Sequence, residues 1–197
     1  MVQIDVGTLF FAAIFTNNIL LTNFLGLCPF LAISREVRPA LGLGVAVVFV
    51  MTCTAALNYL VYYYVLEPLE LDHFRYIIFI IIIASFVQLV EMAVERFFPA
   101  LYYVLGIFLP LITVNCAILG ASLFLIIRKY TLWQSVAYGA GSGIGWMLAI
   151  IAVGAIREKV QASARLPRGL EGPAITLLIT GMMALAFTAF SGMIQIQ

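Results

Sequence analysis

Two cysteines, Cys28 in FLGLCPFL and Cys116 in LPLITVNCAILG, each sit near the middle of a long uncharged stretch beside residues that interrupt helices. Gly26 and Pro29 flank the first; Pro110, Asn115 and Gly120 surround the second. Irregular backbone within a membrane is tolerated only where it is buried in protein or lines a cavity. A soft sulfur ligand at each of two such breaks points to a shared site near the bilayer centre. Its chemistry stays open at this level. Buried cysteine is most often a small hydrophobe, and that reading suffices for Cys53 in MTCTAAL. A disulfide staple mainly serves small secreted domains. A metal is the third option. Iron–sulfur clusters are normally held by four thiolates. A cluster here needs two more ligands from a partner, most simply a related chain inserted the other way up.

The elements that position these thiols are transmembrane. The chain has 197 residues, 64% hydrophobic and 10% charged, with a net charge of +1. Its mean hydropathy is +1.14. Uncharged runs cover Val6–Ser34, Pro39–Leu66, Tyr76–Val90, Phe97–Ile127, Tyr130–Ile156 and Gly172–Gln197. A crossing helix needs about 20 apolar residues. The third run reaches that length by drawing in Glu91 and Glu95. This predicts an all-α integral membrane protein of six transmembrane helices in one domain, residues 1–197. The first run is too long for a cleavable leader, and no basic residue precedes it.

Lysine and arginine set the orientation. Loops after the first, third and fifth helices carry Arg35, Arg38, Arg96, Arg157, Lys159, Arg165 and Arg168; the opposite side has Arg75, Arg128 and Lys129. The richer side belongs in the cytoplasm, with both termini outside. Cys28 and Cys116 each fall in the first helix of a triplet. Three is odd, so a repeated triplet inserts upside down relative to its twin. Two inverted repeats are expected, about 1–98 and about 99–197, with broken first and fourth helices. Nothing in the charge or composition supports nucleic-acid binding.

Several local patterns have plain explanations. The run GAGSGIG at residues 139–145 lacks the preceding strand of a dinucleotide fold. It is read as small residues admitting close helix contact. Tyr62, Tyr63, Tyr64, Tyr102, Tyr103 and Trp133 fall near helix ends, where aromatic belts form. His73 belongs to an outer loop, and Arg157, Glu158 and Lys159 to a solvated helix end. Gln88, Glu91 and Glu95 share one helix face. A carboxylate at membrane depth is costly and usually faces a pore or partner. Glu91 is either half of an interfacial ion pair with Arg96 or part of a cation route.

The segments NNILLTNFLGLCPFLAIS, LVEMAVERFFPALYYVLGIFLPLITVNCAILG, GSGIGWMLAI, AIREK and ITGMMALAF resemble one family over nearly the whole chain. Its members are the E-type subunits of the Na⁺-translocating NADH:quinone reductase (Na⁺-NQR) and the homologous A-type subunits of the Rnf electron-transport complex. The resemblance implies a bacterial inner-membrane protein paired with a homologous inverted partner of the D type. It implies a [2Fe–2S] cluster shared by that pair, with Cys28 and Cys116 as this chain's ligands. Asn115, beside Cys116, is either a donor to that sulfur or a helix-packing amide. NADH, flavins and quinone would bind other subunits, and Glu91, more than Glu95, would lie on the sodium route. GSGIGWMLAI, ITVNC and AIREK lean towards the reductase; the NNILL wording leans towards Rnf, a ferredoxin:NAD⁺ oxidoreductase. A non-redox secondary transporter with inverted repeats and a plain assembly scaffold are the competing classes.

Overall fold

The computed structural model describes residues 5–33, 37–69, 72–97, 109–163 and 173–191. Every regular element among them is helical. The first apolar run is divided into three short helices, α1 (Val6–Ile14), α2 (Ile19–Asn23) and α3 (Leu27–Ile33). Then come α4 (Val37–Val61), closed by a π turn at Tyr62–Leu66, and α5 (Arg75–Phe97). The second half holds α6 (Leu109–Thr113), α7 (Cys116–Ile127), α8 (Leu132–Ser163) and α9 (Pro173–Ser191). Four stretches are long and apolar enough to cross a membrane: Pro39–Leu66, Arg75–Phe97, Pro110–Ile127 and Leu132–Val160; Pro173–Ala189 is a shorter apolar helix. None of α1, α2 and α3 alone reaches the roughly 20 residues of a crossing.

Prolines mark helix starts. Pro29, Pro39, Pro110 and Pro173 all stand in the first turn of α3, α4, α6 and α9. There a missing N–H removes no intrahelical bond. The expected breaks at Gly26 and Asn115 are present. Gly120 is different: it lies inside an unbroken α7, because its role is room rather than interruption. A Cβ on it would meet Leu25 Cδ1 at 2.5 Å, so Leu25 of the first break seats on α7 there. A further break, at Thr16–Asn18, separates α1 from α2.

The long helix α8 is the axis of the bundle. It packs along α4 and α1 and also touches α2, α7 and α9. The glycine run makes this possible. Gly139 and Gly143 face α4, where a Cβ would stand 2.8 Å from Ala55 Cβ and 2.9 Å from Val48 Cα. Gly141 and Gly145 face α1, where a Cβ would stand 2.8 Å from Phe10 O and 2.9 Å from Ile14 O. Small residues on both sides of one helix thus let two neighbours approach to backbone contact. The pairing with α4 runs antiparallel and ends where the Val37 N–H donates to Glu158 Oε1 at 3.0 Å.

α5 buries a single stripe, Phe79, Ile83 and Val87, at i, i+4, i+8. Its span is only 17% buried, and Ile77, Ile80, Ile81 and Leu89 point outward. Such a helix has its second solvent in lipid or another subunit. Tyr64 and Trp133 are exposed at helix ends, as an aromatic belt requires. His73 is exposed, as a loop histidine should be. Arg157 departs from expectation: it is 2% exposed, whereas Glu158 and Lys159 beside it are exposed. Helical rotation turns that one position inward from a helix end otherwise in solvent. Arg35, Arg165, Arg168, Tyr102 and Tyr103 lie outside the described residues.

Candidate functional site

Cys116 is the first residue of α7, and Asn115 is its N-cap. Asn115 is extended (φ −73°, ψ 111°), and its Oδ1 accepts the Ala117 N–H at 3.0 Å. That bond satisfies one orphan donor of the first turn and fixes where the helix begins. The sulfur is thereby held at the positive end of a helix dipole, a position that favours an anion.

The partner of this sulfur comes from the first break. Phe24 closes α2 in a left-handed conformation (φ 53°), and Gly26 follows with φ +83°. Its N–H donates to Cys116 Sγ at 2.9 Å, across 90 residues of sequence. Only glycine serves well at this position. A Cβ would be 2.6 Å from Trp146 Nε1 and 3.0 Å from both Ala117 Cβ and Asn115 Oδ1, and the φ itself strains any L side chain. Two residues further, Cys28 stands in the first turn of α3 and is exposed. The α3 and α6 helices that carry the outer flanks of the two breaks also touch. The two cysteine-bearing interruptions are therefore parts of one place in the fold.

A second asparagine repeats the capping device. Asn18 caps α2, accepting the Leu20 N–H at 3.1 Å. Its Nδ2 donates to Gly145 O at 2.8 Å and to Ile14 O at 3.3 Å, tying the first break to α8. The sequence signal for both caps is an asparagine directly before an apolar run. Asn115 thus works as a helix cap. Its Nδ2 is buried and has no acceptor among the described residues, so of the two roles open to this amide the structural one is seen here.

The other candidates lie on α4 and α5, and α5 touches both α6 and α7, the helices on either side of the second break. Cys53 lies within α4 and is half-buried. Glu91 is half-buried on α5, and Gln88 and Glu95 beside it are exposed. No bond or ion pair joins Glu91 to the exposed Arg96 among the described residues.

The two breaks bring two thiols into one region of the chain. One sulfur accepts a peptide N–H, the contact that ligand sulfurs in iron–sulfur proteins use. The other is open at the surface of the chain. Among the described residues no group of three or more His, Cys, Asp or Glu side chains is placed to hold a metal ion.

Comparison with known proteins identifies the family. Residues 6–194 match the family model described as "Rnf-Nqr subunit, membrane protein". The chain is 50% identical over 191 residues to the E subunit of the Na(+)-translocating NADH-quinone reductase of Aeromonas salmonicida, covering 94% of this chain and 96% of that protein. It is 49% identical over 182 residues to the A-type subunit of the Na(+)-translocating ferredoxin:NAD(+) oxidoreductase complex of Acetobacterium woodii, covering 92% and 94%. The E subunit of the Yersinia enterocolitica reductase is 51% identical over 191 residues. With its glycine-paired helices, its apolar spans and a match over nearly its whole length, the chain belongs to the Rnf-Nqr family of membrane subunits.

Proposed function

We propose that this chain is the E-type membrane subunit of a Na⁺-translocating NADH:quinone reductase, with the A-type role in an Rnf complex as the alternative. Cys28 and Cys116 give two of the four ligands of a [2Fe–2S] cluster, and a homologous partner of opposite topology gives the other two. The observation that carries the reading is the convergence of the two breaks: the Gly26 N–H bonds Cys116 Sγ while Cys28 opens outward. The names of the relatives supply the reaction class. Near-equal identity to both kinds of protein is why the Rnf alternative is kept.

When bound, the cluster supplies a one-electron way station between the two faces of a membrane core of about 30 Å. The chain's own work is positional. Asn115 fixes the start of α7 and hence the place of Cys116; the Gly26 N–H holds that sulfur as an acceptor. The two halves of the chain, about 1–98 and about 99–197, form inverted triplets of six transmembrane helices, with both termini periplasmic in a bacterial inner membrane. Glu91 offers a hard oxygen ligand suited to sodium on the sparsely buried α5, with Glu95 one turn further. NADH, flavins and quinone bind other subunits.

The test uses the purified multi-subunit complex prepared without oxygen. Iron, acid-labile sulfide and a visible absorption band are expected, and each is lost in Cys28→Ser and in Cys116→Ser. A complex free of iron, with intact redox activity and with Na⁺ flux abolished by Glu91→Gln, would instead establish the non-redox transporter role for this chain. Quinone-linked against ferredoxin-linked turnover separates reductase from Rnf.

A further inference from the structure

Trp146 is the largest fully buried side chain, and its indole Nε1 has no acceptor among the described residues. In an apolar surrounding such a donor is costly unless something nearby makes use of it. Its place is informative: Nε1 stands 2.6 Å from where a Gly26 Cβ would lie, directly behind the peptide that bonds Cys116 Sγ. The same point is 3.0 Å from Asn115 Oδ1, whose own Nδ2 is a second buried donor without an acceptor among the described residues. On the far side of the turn, Leu25 is seated against Gly120 of α7. The left-handed turn Phe24–Gly26 is therefore clamped between α7 and the indole of α8.

We propose that Trp146 is a positioning residue for the Cys116 sulfur: it presses the Gly26 turn onto that sulfur and sets a buried N–H, without an acceptor among the described residues, behind the Gly26 peptide, raising the electron affinity of the centre bound there. The inference rests on the cluster reading above and adds a residue that touches neither sulfur nor substrate. Two physical effects point the same way. A hydrogen bond to a ligand sulfur favours the more negative, reduced state, as does any buried donor dipole with its positive end nearby. Loss of either leaves the added electron less stabilised, so the potential falls.

The decisive measurement is a redox titration of the cluster signal, followed by electron paramagnetic resonance, in purified complex carrying Trp146→Phe. Phenylalanine keeps a ring against Gly26 and removes the N–H. Iron and sulfide content are expected to match the parent, while the reduction potential moves negative by up to a tenfold change in the reduced-to-oxidised ratio, about 59 mV for one electron. Trp133→Phe, exposed at the start of α8, is expected to leave the potential in place. A Trp146→Phe complex with full iron and an unmoved potential overturns the inference and leaves the cluster reading standing. A parent complex without iron removes both. Should Trp146→Phe fail to assemble, the parent decides: with isotopically labelled glycine, a peptide-nitrogen coupling to the paramagnetic centre is expected, and its absence overturns the assignment of the Gly26 contact and of the residue behind it.

Discussion

Gly145→Ala adds one methyl group and should be among the most damaging small changes in this chain. The added carbon would stand 2.9 Å from Ile14 O, 3.1 Å from Asn18 Nδ2 and 3.3 Å from Ala13 O. Two of those atoms are backbone, so the relief has to come from moving α1 away from α8. Overpacking of this kind costs about 1–3 kcal/mol. The same movement strains the Asn18 Nδ2 bond to Gly145 O, and a buried hydrogen bond is worth about 1 kcal/mol. The sum, about 2–4 kcal/mol, less the about 0.5–1 kcal/mol of helix propensity that alanine gains in any helix interior, leaves about 1–3.5 kcal/mol, roughly a 5- to 400-fold loss in the folded-to-unfolded ratio. Gly181 is the matched control in α9, where a Cβ meets nothing within 4 Å. There alanine should gain about 0.5–1 kcal/mol of helix propensity. The two identical substitutions are thus expected to differ in sign. Thermal unfolding of the detergent-purified complex, followed by loss of the monodisperse species, reads both. A Gly145→Ala complex that melts at or above the parent, or a Gly181→Ala complex that falls as far, would refute the packing argument.

Asn115→Ala should lose the cap and cost about 1–2 kcal/mol, with reduced iron content, whereas Asn115→Asp keeps the acceptor for the Ala117 N–H and should retain iron; metal analysis of both complexes checks this. Cys53→Ala should keep full iron and the parent absorption band, since Cys53 sits within α4 away from both breaks in the sequence; loss of the band would mean that the third thiol is a ligand. Glu158→Ala should free the Val37 N–H and fray the start of α4 while Glu158→Gln preserves that bond, a difference that limited proteolysis near residue 37 can read.

Much of this is legible in one dimension because the relevant signals are local. A glycine or asparagine inside an apolar run has few roles, and Gly26 and Asn115 break the helix where their types require. The glycine run at 139–145 is also readable as a packing surface, since no strand precedes it. Sequence cannot say that alternate glycines serve two different helices, because that depends on α1 and α4 lying on either side of α8. Gly120 shows the same limit from the other direction. Its residue type fits a break as well as a close contact, and only the seating of Leu25 decides. Arg157 defeats a reading from charge because charge predicts solvent only on average; one residue either side of it, at Ile156 and Glu158, the helix faces outward. The N-cap at Asn18 carries a usable signal too, but a continuous apolar stretch from Val6 to Ser34 hides it behind the length of a single crossing.

The two sulfurs are held unequally, and under the proposed cluster reading that inequality bears on a site split between chains. Cys116 has its helix start fixed by Asn115, its sulfur bonded by Gly26 and that glycine backed by Trp146. Cys28 is exposed in the first turn of a short helix, and no hydrogen bond reaches its sulfur among the described residues. A ligand set preorganised at every position would have to bury thiolates together in each free chain before assembly, where their mutual repulsion is poorly screened. Under the proposed reading, one fixed and one adaptable sulfur would avoid this: the fixed one would set the location, and the exposed one would close on a metal centre when a partner's ligands arrive. Chain folding and site completion are then separate events.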